Sequence, residues 1–388
     1  MKKTLSALML MLLISCLCFA AKYPVSTEQE FTLAANKVTA GDEIIIKDGT
    51  YDNWHVNLTA NGYESKPIII RAGHKGKVIF TQNTAQPIFS VKGNYNVIDG
   101  IVFKECVMSK PAGVLITLTN SLNSRITNCI LEKNTAKAQF MPLFIVSGMG
   151  QYNQIDHCTF TSNIDVQDIQ VRVEKTGCPQ FTLISNNLFQ NKDKVTWANF
   201  NGGECVQIGQ DPINSGTIVS NTTVRNNRFI RCNAEPEVIS NKCSGNKYIA
   251  NYFEDCDGEL VMRGGHDCVV DSNEFKGGLG GIRLCGTGHT VTNNTISNVK
   301  TGIRLYYGMA AGKTDIGFYI AASNCIIKNN RISNTQTGIL VGDSKNQDWT
   351  GKFNTTTYPS RVMQDVAPAN NTITDNTFKN TTNNVLYQ

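Results

Sequence analysis

From about residue 96 to the end of the chain, two polar residues, often asparagines, are repeatedly followed by a polar/apolar pair ending in Phe, Ile or Leu. The unit reads Asn186-Asn187-Leu188-Phe189, Asn226-Asn227-Arg228-Phe229, Asn251-Tyr252-Phe253, Asn273-Glu274-Phe275 and Asn294-Thr295-Ile296 in its most regular stretch. From Asn227 to Asn251, Asn273 and Asn294 the steps are 24, 22 and 21 residues, the length of one coil in a solenoid of short strands. Coils stack at the strand spacing of about 4.8 Å, so an inward asparagine can bond its equivalents above and below. The register predicts an asparagine ladder through Asn187, Asn227, Asn251, Asn273, Asn294, Asn330 and Asn376. The fold class is then all-β, a single right-handed parallel β-helix, with residues from about 22 to 95 as its cap and first coils. A charged content of only 17%, 32 glycines and no long heptad pattern agree with many short strands rather than helices.

Lys2 and Lys3 followed by an apolar run from Leu5 to Phe19 have the layout of a signal peptide over residues 1–20, leaving 22–388 as the mature chain. Within the run, Leu13-Ile14-Ser15-Cys16 also matches a lipoprotein box, so a soluble product and a lipid anchor on Cys16 both stay open. The protein is expected to be exported, whether periplasmic, secreted or an outer-membrane lipoprotein, without a transmembrane helix. Two of the 13 cysteines lie in the leader, and the remaining 11 cannot all pair. Most occupy apolar repeat positions, as Cys129 and Cys158 do, where thiols pack as small hydrophobes. The formal charge of +5 is modest, so its distribution matters more than its total. A monomer with no nucleic-acid partner is expected.

Counting from each anchor Phe or Ile gives the outward face, because alternate strand residues share a side. Glu237, Val261, Arg283 and Arg304 fall eight residues past their anchors, and Glu235, Arg263 and Tyr306 fall on the same parity. A strip of guanidiniums, carboxylates and a tyrosine suits a linear polyanion: arginine pairs with a carboxylate through two parallel hydrogen bonds, and tyrosine packs on a sugar ring. Solvated charges that staple neighbouring coils are the plainer reading of Arg283 and Arg304. Glu235 and Glu237, two apart on a strand, supply hard oxygen ligands at a spacing that can hold calcium. Lys242 stands 21 residues before Arg263, close to one coil, so both can meet over one sugar.

These residues sit within motifs, in order AGDEIIIKDGTYDN, KPIIIRAGHKGKVIF, NYNVIDGIVF, NGGE (201–204), EPEVISNK (235–242), LVMRGG around Arg263 and GGIRLCGTGHTVTNN. Together they resemble polysaccharide lyase family six, the alginate lyases and chondroitinase B, over almost the whole mature chain. The resemblance implies calcium held by Asn201, Glu235 and Glu237, Lys242 as general base, and Arg263 as the acid or its electrostatic surrogate. It implies β-elimination on a uronate-containing polysaccharide, with alginate favoured over dermatan sulfate. Arg283, Arg304, Tyr306, His266 and Glu204 are the candidate substrate contacts. Where the family often has His directly after the Arg and a basic residue after NGGE, this chain has Gly264 and Gln207; His266 is the candidate substitute for the former. A hydrolase on the same fold would need paired carboxylates at acid/base separation, for which Asp255, Asp257 and Glu259 could be invoked, but no polygalacturonase-like Asn-Thr-Asp and paired-Asp pattern accompanies them. A non-catalytic carbohydrate-binding β-helix and a uronate epimerase are the other rivals.

Overall fold

The computed structural model describes residues 20–388; the signal-peptide and Cys16 readings concern positions outside the described residues. Strands occupy three faces of a parallel β-helix, and each turn of chain contributes one short strand to each face. One face is a sheet of 13 parallel strands running from Lys22–Val25 to Thr372–Thr374. The other two faces merge into one 22-stranded network, because Arg331–Asp343 and Thr377–Tyr387 run without interruption from one face to the other.

The asparagine pair explains the bend at which the 13-stranded sheet passes to the next face. Its first member takes a left-handed backbone (φ 55° at Asn186 and Asn226, 58° at Asn293 and Asn329), a conformation that asparagine tolerates. Its second member points inward. The Nδ2 atoms of Asn187, Asn227, Asn251, Asn273, Asn294 and Asn330 each donate to the Oδ1 of the next asparagine at 2.9–3.0 Å, ending on Asn376. The predicted ladder is therefore present link for link. One coil before Asn187 the column changes to Cys158, whose backbone N–H donates to Asn187 Oδ1 at 2.9 Å. Two residues past the ladder, Phe160, Phe189, Phe229, Phe253 and Phe275 stack with ring centroids 4.5–4.7 Å apart.

Apolar side chains from Val25 to Val341 form one continuous core. All 11 described cysteines are free and ten are buried, consistent with thiols acting as core packing. At the N-terminal end the helix Glu28–Ala35 covers the first coils: Thr27 accepts from the Glu30 N–H at 3.1 Å, Glu30 accepts from the Ser26 N–H, and Phe31 packs edge-on against Trp54 and Phe89. Among the described residues no helix is long and apolar enough to cross a membrane.

Candidate active site

The strands Val206–Ile208, Glu237–Asn241, Glu259–Met262, Gly280–Leu284 and Thr301–Tyr306 lie on successive coils of one face and carry the chemistry. Val261, Arg283 and Arg304 are in register, as counted. Glu237 is not level with them. Additional residues between Cys232 and Glu237, and an irregularity between Glu237 and Ile239, put Ser240 opposite Val261 and Glu237 opposite Glu259. Glu237 consequently belongs to an outward column of carboxylates with Glu259.

Just past the strand ends the backbone ladder continues, with the Lys242 N–H on Ile208 O at 2.8 Å and the Arg263 N–H on Asn241 O at 2.9 Å. That register sets Lys242 and Arg263 one above the other on adjacent coils. Both line a cavity of about 440 Å³, together with Asn201, Gln207, Arg172 and Phe318. Lys242 is buried, and its Nζ lies 3.6 Å from Glu204 Oε1. Glu204, expected among the substrate contacts, is instead 1% exposed and occupied within the protein: Gln207 Nε2 donates to Oε1 at 2.7 Å and Gln167 Nε2 to Oε2 at 2.9 Å.

Glu237 is the charge centre of the next coil. Arg283 donates to its carboxylate, Arg263 approaches at 3.6 Å, and the Ser240 hydroxyl donates to its second oxygen. Burial alone would raise this carboxyl, but Arg263, Arg283 and Lys242 together outweigh it and hold it at about 2. Burial also works against the Arg263 charge, and Tyr319 and Glu237 override it, so the guanidinium stays protonated. Arg263 is held further by the rings of Phe318 and Tyr319, 5.0 and 5.5 Å from its central carbon. A guanidinium so fixed can stabilise developing negative charge better than it can release a proton.

Arg283 and Arg304 take the coil-stapling arrangement. Arg304 forms a fork on Glu259 and reaches Asp343 at 3.1 Å, while Tyr306 lies buried between the two guanidiniums, 5.4 Å from each. His266 is outside the main cavity, in a smaller one of about 220 Å³ shared with Pro212 and Gly264; its Nδ1 is bonded to Thr287 and burial lowers its pKa.

The residues expected to hold calcium fit a hard dication in one respect that this structure displays. Glu235 accepts from the Gly202 N–H at 2.9 Å through Oε2, but its Oε1 is buried with no partner. Burial and the neighbouring Glu204 and Glu237 push the Glu235 carboxyl well above the carboxylate range, with Lys242 acting the other way. A bound cation relieves that condition. Among the described residues no three His, Cys, Asp or Glu side chains converge as a metal cluster; the expected set has only two carboxylates and an amide, so it does not require one.

Comparison with known proteins follows the same lines. The family model described as Chondroitinase B matches residues 25–387. The solved structure of AlyGC, a PL6 family alginate lyase, superposes with a TM-score of 0.75 at 26% identity, covering 90% of this chain but 47% of that one. A mannuronic acid specific family 6 lyase from human gut microbiota gives 0.73 at 26% identity, covering 84% of this chain and 77% of that one. Pedsa3628 from Pseudopedobacter saltans gives 0.75 at 22% identity, with coverages of 92% and 84%, and supports the fold alone. This chain thus spans about half the length of AlyGC and most of the other two. No curated protein sequence matches it.

Proposed function

Because this chain belongs to the chondroitinase B family, we propose that it is a polysaccharide lyase that cleaves alginate by β-elimination. The observation that carries the reading is the stacking of Lys242 and Arg263 on adjacent coils over one cavity, each against its own buried carboxylate. Lys242 is the base that takes the proton from C5 of a uronate. The electron pair left behind forms the C4–C5 double bond as the C4–O bond breaks, and the departing oxygen takes up a proton from solvent while Lys242 returns to solvent the proton it took, so that none is gained or lost overall. Arg263, fixed by Glu237 and the Phe318 and Tyr319 rings, stabilises negative charge through this sequence without giving up its own proton. Asn201, Glu235 and Glu237 would hold calcium. When bound, calcium supplies neutralisation of the substrate carboxylate beside the carbon that loses its proton. No water is consumed, which separates the reaction from hydrolysis. Export through the leader would bring the enzyme to a polymer outside the cytoplasm.

The test is incubation of the purified protein with mannuronate-rich and guluronate-rich alginate and with dermatan sulfate, with and without chelator, following the ultraviolet absorbance of the unsaturated product. Absorbance on alginate that is lost 10²- to 10⁴-fold in Lys242→Ala is expected. Signal on dermatan sulfate alone would move the substrate assignment, and absence of signal on every polymer would sink the lyase reading.

A further inference from the structure

Lys242, Arg263, Arg283 and Arg304 each already have a carboxylate partner: Lys242 has Glu204, Arg263 and Arg283 share Glu237, and Arg304 has Glu259 and Asp343. Arg172 lines the same cavity as Lys242 and has no ion-pair partner among the described residues. Its position follows from the backbone. Val171 is in register with Ile208 and Ile208 with Asn241, so Arg172, Gly209 and Lys242, each one residue further, form a column that Arg263 continues. With coils about 4.8 Å apart, Arg172 lies roughly 10 Å along the solenoid axis from Lys242. The step between them is Gly209, which adds no side chain of its own and sits at φ 81°, with Ser215 packed against it.

Arg172 is also held in place. Its Nε and Nη2 both donate to Gln170 Oε1 at 3.1 Å. Gln170 is buried and donates to Gln207 Oε1 at 2.6 Å, and Gln207 donates to Glu204, the carboxylate against Lys242. A neutral chain of side chains thus ties the free guanidinium to the base while leaving its charge unspent. Gln207 is the position at which the resembling family often carries a basic residue; here the cation is supplied from one coil earlier.

We propose that Arg172 is the anchor for a second uronate carboxylate, on a sugar removed from the one whose proton is abstracted, so that the chain requires an anionic polymer on both sides of its base. This rests on the lyase reading for its substrate class, and it assigns the anchoring role to Arg172 rather than to Arg283 or Arg304, whose charges are taken. A planar carboxylate can accept from the guanidinium edge that Gln170 leaves free.

The test uses the Lys242→Ala protein, which should not turn over, and titrates it with a defined oligouronate and with the same oligosaccharide after carboxyl reduction to the neutral form. Adding Arg172→Ala should weaken oligouronate binding about 10- to 100-fold and leave binding of the neutral analogue unchanged. Arg172→Lys, which keeps the charge but loses the planar fork, should fall between, and thermal melting of each variant checks folding. With the native base, Arg172→Ala should raise KM and leave kcat close to the parent. Equal oligouronate affinity with and without Arg172, or the same loss for the neutral sugar, overturns the assignment. The two readings fail separately: Arg172-dependent uronate binding by a protein that releases no unsaturated product would remove the lyase and keep the anchor, and cleavage unaffected by Arg172→Ala would do the reverse.

Discussion

Two columns of side chains run along this solenoid in the same coil-by-coil register, one inside and one outside, and they satisfy their stacked groups in opposite ways. The interior column repeats one neutral residue: each asparagine carries donor and acceptor, so identical neighbours complete one another from Asn187 to Asn376. The outer column stacks Glu237 on Glu259, with Glu204 on the coil before, and carboxylates cannot complete carboxylates. Each is matched by a cation brought from a later coil: Lys242 one coil on from Glu204, Arg263 one and Arg283 two from Glu237, Arg304 two from Glu259. A neutral ladder can extend indefinitely and do no chemistry. A charged ladder must be offset, and the offset is what places a lysine and an arginine side by side over the cavity.

The largest expected effect is at the centre of the charged column. Glu237→Gln removes the counter-charge shared by two largely buried guanidiniums and should cost about 3 kcal/mol of stability, read as a shift in the denaturant midpoint. A loss below that of a ladder asparagine would break the contrast.

Acid should then separate the columns by pH. At the second bend, which leads into the 13-stranded sheet, the inward residues are chemically mixed. There His289 accepts from the Cys268 N–H through Nδ1 at 3.2 Å and bonds Cys285 O through Nε2 at 2.9 Å, so its neutral form is built in. Burial lowers its pKa from 6.5 to about 4, so the unfolded chain binds the proton first. Stability from this group is fully present above pH 6.5 and falls by about 3 kcal/mol as the pH drops toward 4. Glu237, held at about 2 against 4.5, loses its contribution only in the lower window between those values. His289→Gln should flatten the upper window in pH-dependent melting and leave the lower one in place. Asn273→Ala follows at about 2 kcal/mol, since it leaves the Asn251 backbone N–H and one of its two amide hydrogens without the Oδ1 that accepts them, while the other amide hydrogen keeps Val224 O, with no change in the pH profile.

The neutral ladder was legible because the repeated residue is the same throughout, so that the short, nearly equal coils from Asn227 to Asn294 set the pattern and the same unit marks the longer steps of 40, 36 and 46 residues on either side. The second bend, through Thr222, Asn246, Cys268 and His289, shares the geometry but not the residue type, so no repeat marks it. Lys242 and Arg263 were legible for the ladder's reason, standing one short coil apart. Glu237 was displaced by the added residues ahead of it, which counting from Phe229 could not detect. Arg172 lay beyond two long coils, 37 residues from Gln170 to Gln207 and 33 from Gly202 to Glu235, and no repeated residue on that face carries the register across them. That Glu204 faces Lys242 rather than the substrate depends on the same lost register.

The smallest effect tests whether the charged column acts as one unit. Glu259 is buried, but Arg304 is about a quarter exposed and keeps a second carboxylate, Asp343, when the first is removed. Glu259→Gln therefore leaves no orphaned cation, and solvent screens what remains. The expected cost is about 1 kcal/mol, smaller in high salt than in low. If Glu259→Gln instead costs as much as Glu237→Gln, and if the two losses fail to add in the double variant, then the carboxylates and their offset cations are coupled through Arg283 and Tyr306, which lies between Arg283 and Arg304. The outer column would then be as continuous as the asparagine ladder, carried by alternating charge rather than by repetition of one residue.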